Sequence, residues 1–81
     1  MDKTIYTPIY RKLIGTLRDA RRERGMRQQD VAQVLGVSRN WISKVERCEV
    51  RLDVLNYVRL CLALDLDAGE TLGPVIETVM T

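Results

Sequence analysis

The sequence predicts an all-α fold, a compact set of five helices with a short helical extension at its C-terminal end. Three observations lead there. Helix breakers are few, with 5 Gly and 2 Pro in 81 residues. No run of four or more residues alternates apolar and polar side chains within a β-branched stretch, so the pattern of a strand is missing. Apolar residues instead recur at helical spacing, in segments bounded by capping residues. The length suits a single domain, 1–81, and 46% hydrophobic residues supply one modest core.

The helices follow in order. Thr7-Pro8 pairs a hydroxyl cap with a proline at the first helical position, where its missing N–H costs nothing. Ile9, Leu13, Leu17 and Ala20 then form one apolar stripe. Arg21, Arg22 and Arg24 crowd the last turn and Gly25 stops the helix, which spans about 8–24. A second helix covers 28–35, burying Val31, Ala32 and Leu35 and ending at Gly36; Arg27 is a weak residue at its cap. Ser38 caps a third helix running to about Arg47. Asp53 caps a fourth, with Leu55, Val58 and Cys61 or Leu62 toward the core as far as Leu64. Asp67 caps a short fifth helix ending at Leu72-Gly73. Pro74 restarts a last turn or two carrying Val75, Ile76 and Val79. Only Met1–Tyr6 reads as loose.

Composition excludes several functions. The chain has no histidine and only two cysteines, so His-based catalysis and a four-cysteine zinc cage are both out. With no phosphate-cradling glycine loop either, the expectation is no enzyme, no metal and no cofactor. The longest apolar run, Leu60–Leu64, is far short of the roughly 20 residues of a membrane span. The N-terminal Met1-Asp2-Lys3-Thr4 lacks a signal-peptide pattern, which makes the cytoplasm the expected compartment. Cys48 and Cys61 read as a loop residue and a small core hydrophobe. The net charge of +2 hides a split: 1–51 carry 12 Lys/Arg against 6 Asp/Glu, and 52–81 one Arg against 5 acids. A basic front suits a polyanion, and an acidic back suits something else.

The segment Gln28–Arg47 narrows this further. Two helices separated by Gly36-Val37 must turn sharply, and Gly36 can take the positive φ required. Val31, Leu35, Val37, Ile42 and Val45 close the pair onto the core, and Ala32 is small where the helices approach. At about 100° per residue, Ser38, Trp41, Ile42 and Val45 share one side of the third helix. Arg39, Asn40, Ser43, Lys44 and Arg47 share the other, with no carboxylate among them. Such a face fits the major groove: Arg bonds guanine and Asn bonds adenine in bidentate fashion, while Ser and Lys adapt to base edges or phosphate. Arg39, Asn40, Ser43 and Lys44 are therefore the expected base readers. Ser38, Arg47 and Arg51 are the candidates for phosphate. Trp41, at the edge of the buried side, reads as core packing or as a shield against the DNA backbone.

Gln28, Val31, Ala32, Leu35, Gly36, Val37, Ile42 and Val45 together resemble the helix-turn-helix of the lambda-repressor and Cro-like (XRE-type) family. Leu17-Arg18-Asp19-Ala20-Arg21 before the turn and Ile42-Ser43-Lys44-Val45-Glu46-Arg47 after it extend the likeness, which continues to about Leu72. The resemblance implies a duplex-DNA-binding transcriptional regulator. It also implies that Gln28 contacts phosphate and braces the reading helix, and that Glu46 pairs with Arg21 as a structural ion pair. Two positions depart from the family pattern: Arg27 stands where Ser or Thr is usual, and Cys48 where Gly is usual.

One module reading four or five base pairs cannot select a site in a genome, so a homodimer on a palindromic operator is expected, as a repressor or autoregulator. Leu66, Leu72, Val75, Ile76 and Val79, within 65–81, are the expected dimerisation residues. The alternative is an antitoxin-type interaction protein that also autoregulates its operon, the acidic C-terminal part engaging a protein partner.

Overall fold

Four polar caps punctuate the chain, and each starts a helix where the sequence places one. In the computed structural model, which describes residues 3–81, Thr7 accepts a hydrogen bond from the Tyr10 N–H (3.4 Å) and Ser38 from Trp41 (3.0 Å). Asp53 does the same for Asn56 and Asp67 for Glu70, both at 2.9 Å. The resulting helices are α1 (Pro8–Glu23), α2 (Gln28–Leu35), α3 (Arg39–Glu46), α4 (Val54–Ala63), α5 (Ala68–Thr71) and α6 (Gly73–Met80). No strand occurs among the described residues.

Two local expectations are corrected. Arg27 is not a poor start for α2, because Asp30 three residues on accepts from the Arg27 backbone N–H (2.7 Å) and its guanidinium (3.2 Å). That is half of a capping box, satisfying an otherwise orphaned donor. The hydrogen bonds from Arg27 hold the Asp30 carboxyl below its ordinary range. Within the Met1–Tyr6 segment expected to be loose, Met1 and Asp2 lie outside the described residues. Thr4–Tyr6 form a 3-10 turn closed by Tyr6 N–H to the Lys3 carbonyl at 3.0 Å. Ile5 packs half-buried on the core, and the Arg11 guanidinium lies over the Tyr6 ring at 5.8 Å.

The first four helices end alike. After each, the residue at C′ takes a positive φ: Gly25 (67°), Gly36 (71°), Cys48 (58°) and Asp65 (54°). The next N–H reaches back five residues, as in Met26 to the Arg21 carbonyl (3.0 Å) and Leu66 to Cys61 (2.8 Å). This is the Schellman closure, for which glycine is the preferred residue. Cys48 therefore occupies a glycine conformation, and its buried side chain fills space that glycine would leave empty. Asp65 is exposed and does not. Replacing it with glycine removes the left-handed cost without opening a hole, and Asp65→Gly is expected to stabilise the fold by about 1 kcal/mol. In thermal unfolding that is a rise of roughly 4–8 °C; an unchanged or lower midpoint contradicts the reading.

One core joins α1–α4. Ile14, Val31, Ile42 and Leu64 are each 1% exposed, and Cys61 is fully buried. Burial pushes the Cys61 thiol above its ordinary pKa, as expected of an unreactive core residue. Tyr10 ties α1 to the loop after α3, donating to the Val50 carbonyl (3.4 Å) and accepting from the Leu52 N–H (2.9 Å). Tyr57 ties α4 to α5 through the Ala68 carbonyl (2.7 Å). α6 folds back against α1.

The buried faces of two helices differ from the sequence expectation. On α1 the buried row is Tyr10, Ile14, Leu17, Ala20 and Arg21, while Ile9 and Leu13 are only half-buried. On α4 the core takes Tyr57, Leu60 and Cys61, with Leu64 just beyond the helix. Leu55, Val58 and Leu62, expected inside with Cys61 or in its place, stand outside at 76%, 39% and 74% exposure. A helix apolar on both sides has no sequence signal that selects which side turns inward.

Candidate nucleic-acid interface

The Gly36 turn sets α3 against α2, and Ile42 and Val45 anchor α3 from beneath. Because successive residues turn by about 100°, burying that pair turns the opposite arc outward. Arg39 and Asn40 are exposed on the first turn of α3, and Ser43 and Lys44 are half-exposed one turn on. Trp41 packs half-buried on the core edge. The N-terminal turn of α3 is the part that reaches deepest when a helix enters a groove.

The geometry of α3 is fixed by an ion pair at its far end. Arg21 Nε and Nη2 donate to the two Glu46 oxygens at 2.7 and 2.9 Å, a bidentate fork. Arg21 Nη1 also donates to the Met26 carbonyl (2.8 Å), and Gln28 Nε2 donates to Glu46 Oε1 (3.0 Å). The two side chains of the pair are only 10% and 12% exposed. One carboxylate thus joins the last turn of α1, the first residue of α2 and the end of α3. The Gln28 amide is turned inward as a brace.

Ser38, besides capping α3, is exposed beside Arg39. Arg39 also borders a shallow polar hollow with Arg27, Gln28 and Gln29 at the start of α2. Arg47 is exposed, donates to Ser43 Oγ (2.7 Å) and pairs with Glu49. That hydrogen bond holds the Glu49 carboxyl below its ordinary range. Arg51 is exposed on the same connecting loop. If Arg47 exchanges Glu49 for a phosphate on binding, Arg47→Ala weakens binding to all duplexes and lowers the salt slope by about one unit. An unchanged slope in titrations across salt concentrations would leave Arg47 with Glu49.

Sequence reasoning missed two residues that shape this region. Asp30 was legible as an acid in the first turn of α2. Arg59, which reaches from α4 to the Leu35 carbonyl, was not, since its partner belongs to another helix. Its charge sits at the α2 C-terminus, where a cation is favoured.

Of the C-terminal set, Leu66 and Leu72 pack on the chain's own core and Val75 is half-buried, leaving Ile76 and Val79 exposed. No group of His, Cys, Asp and Glu suited to a metal ion occurs among the described residues, and no helix there is long and apolar enough to cross a membrane.

Comparison with known proteins agrees with this arrangement. A family model described as a helix-turn-helix domain matches residues 13–72. A solved structure, the XRE-family like protein from Pseudomonas syringae pv. tomato str. DC3000, superposes with a TM-score of 0.83. The two are 32% identical, over 94% of this chain and 93% of that one. No curated protein matches. The turn, the two helices it joins and the likeness along nearly the whole chain place this protein in the XRE-type helix-turn-helix family of DNA-binding regulators.

Proposed function

We propose that the protein is a dimeric, sequence-specific regulator that binds a two-fold symmetric operator and acts by occupying it, as a repressor or autoregulator of its own operon. The observation that carries this is the outward arc of α3, where Arg39, Asn40, Ser43 and Lys44 stand together with no carboxylate. Arg39 and Asn40 supply bidentate groups for guanine and adenine, and Ser43 and Lys44 extend the contact along the groove. Ser38, Arg47 and Arg51 flank the arc as phosphate contacts that set register without reading sequence. Gln28 supports the same docking chiefly as a brace, through Glu46.

Dimerisation doubles the specific contacts and sets the two α3 helices about one DNA turn, roughly 34 Å, apart. It needs an apolar surface that one domain leaves open. The C-terminal part offers Ile76 and Val79, and α4 offers a larger one. The test is selection from a pool of random duplexes with the purified protein. Enrichment of an inverted repeat with half-sites one turn apart is expected; recovery of unenriched sequence contradicts the proposal.

A further inference from the structure

Among the longer helices, α4 is the one without a polar side. Its only ionised side chain between Val54 and Ala63 is Arg59, and that guanidinium is turned to Asn56 Oδ1 (3.0 Å) and the Leu35 carbonyl. Tyr57, Leu60 and Cys61 fill the core, yet Val54, Leu55 and Leu62 remain about three-quarters exposed. Val34 of α2, 63% exposed, borders the same surface hollow as Leu62 and widens the patch. A helix that is hydrophobic all round is one that becomes buried all round, and a single domain covers only one side of this one.

We propose that the outward face of α4 is a self-association surface, on which a second copy of this chain lays its own α4 antiparallel. The proposal rests on the dimeric reading above and names the surface that reading requires. The pattern is self-complementary. Leu55, Val58 and Leu62 are spaced i, i+3 and i+7, so a two-fold axis midway between Val58 and Arg59 sets Leu55 of one copy against Leu62 of the other. No carboxylate lies on the face, so nothing on it selects a charged partner. The five exposed apolar side chains present on the order of 500 Å² per copy, near the top of the range for the largest patch on a monomer. Complete burial of both patches reaches about 1,000 Å², the threshold of a biological interface and the size of a weak, concentration-dependent one.

Sedimentation velocity of the full chain at micromolar concentration, with duplex binding measured on the same samples, tests this. The parent is expected to run at twice 9.3 kDa. Leu55→Glu/Leu62→Glu, altered only at exposed positions, is expected to run as a monomer, with its dimer dissociation constant raised at least tenfold and cooperative melting retained. Leu55→Glu/Leu62→Lys restores opposite charges across the axis and is expected to recover the dimer. Val75→Asp/Ile76→Asp in the C-terminal part is expected to stay dimeric. A monomeric parent, a dimeric Leu55→Glu/Leu62→Glu protein, or dissociation by the C-terminal pair alone overturns the assignment to α4. If the parent is an α4 dimer but binds no duplex, the regulator reading fails and the surface assignment stands.

Discussion

Glu46→Ala is expected to destabilise the fold by about 3–5 kcal/mol, the cost of leaving one partner of a buried ion pair uncompensated. Arg21 would keep its charge in a nearly closed site, with only the Met26 carbonyl beside it, and Gln28 would lose its acceptor. A domain of this size has a total stability of roughly 5–15 kcal/mol, so the variant sits close to unfolding at physiological temperature. Its melting midpoint should fall by at least about 12 °C. Arg21→Met/Glu46→Leu removes both charges in similar volume and should recover much of the loss, because the desolvation cost disappears with the pair. A Glu46→Ala protein within about 1 kcal/mol of the parent would mean that the three helices do not depend on this carboxylate.

Arg39→Ala and Asn40→Ala should each weaken binding to the selected operator by about 1–3 kcal/mol, or roughly 5- to 150-fold, with little change in stability. Both side chains are exposed on the first turn of α3 and make no contribution to the core. Affinity for random duplex should fall far less, since lost base contacts matter only where the right base is present. Equal loss on operator and random DNA, measured by anisotropy titration at fixed salt, would reassign both residues to phosphate.

Much of the architecture was legible because it depends on neighbouring residues. Thr7, Ser38, Asp53 and Asp67 cap helices within three residues of themselves, so the starts of α1, α3, α4 and α5 follow from sequence. The glycine stops after α1 and α2 are local in the same sense. The outward arc of α3 was legible because that helix is strongly two-sided. α4 was not, since apolar residues occur all round it and only the packed fold decides that Tyr57 turns in and Leu55 out. On α1 the buried row ends in Arg21, a charged residue that breaks the apolar pattern. It is tolerated there only through Glu46, 25 residues away. The family resemblance supplied that pair; periodicity could not have. Cys48 and Asp65 hide their glycine-like backbone for a related reason, because a positive φ leaves no trace in a non-glycine residue.

On the proposed reading, the outward face of α3 reads bases. The most direct test is the base preference of the parent and of Asn40→Ala at every position of the selected operator, measured with all single-base-pair variants. Loss of discrimination at one base pair in each half-site, with preference intact elsewhere, is the predicted result. A uniform fall in affinity that leaves every preference unchanged would contradict it.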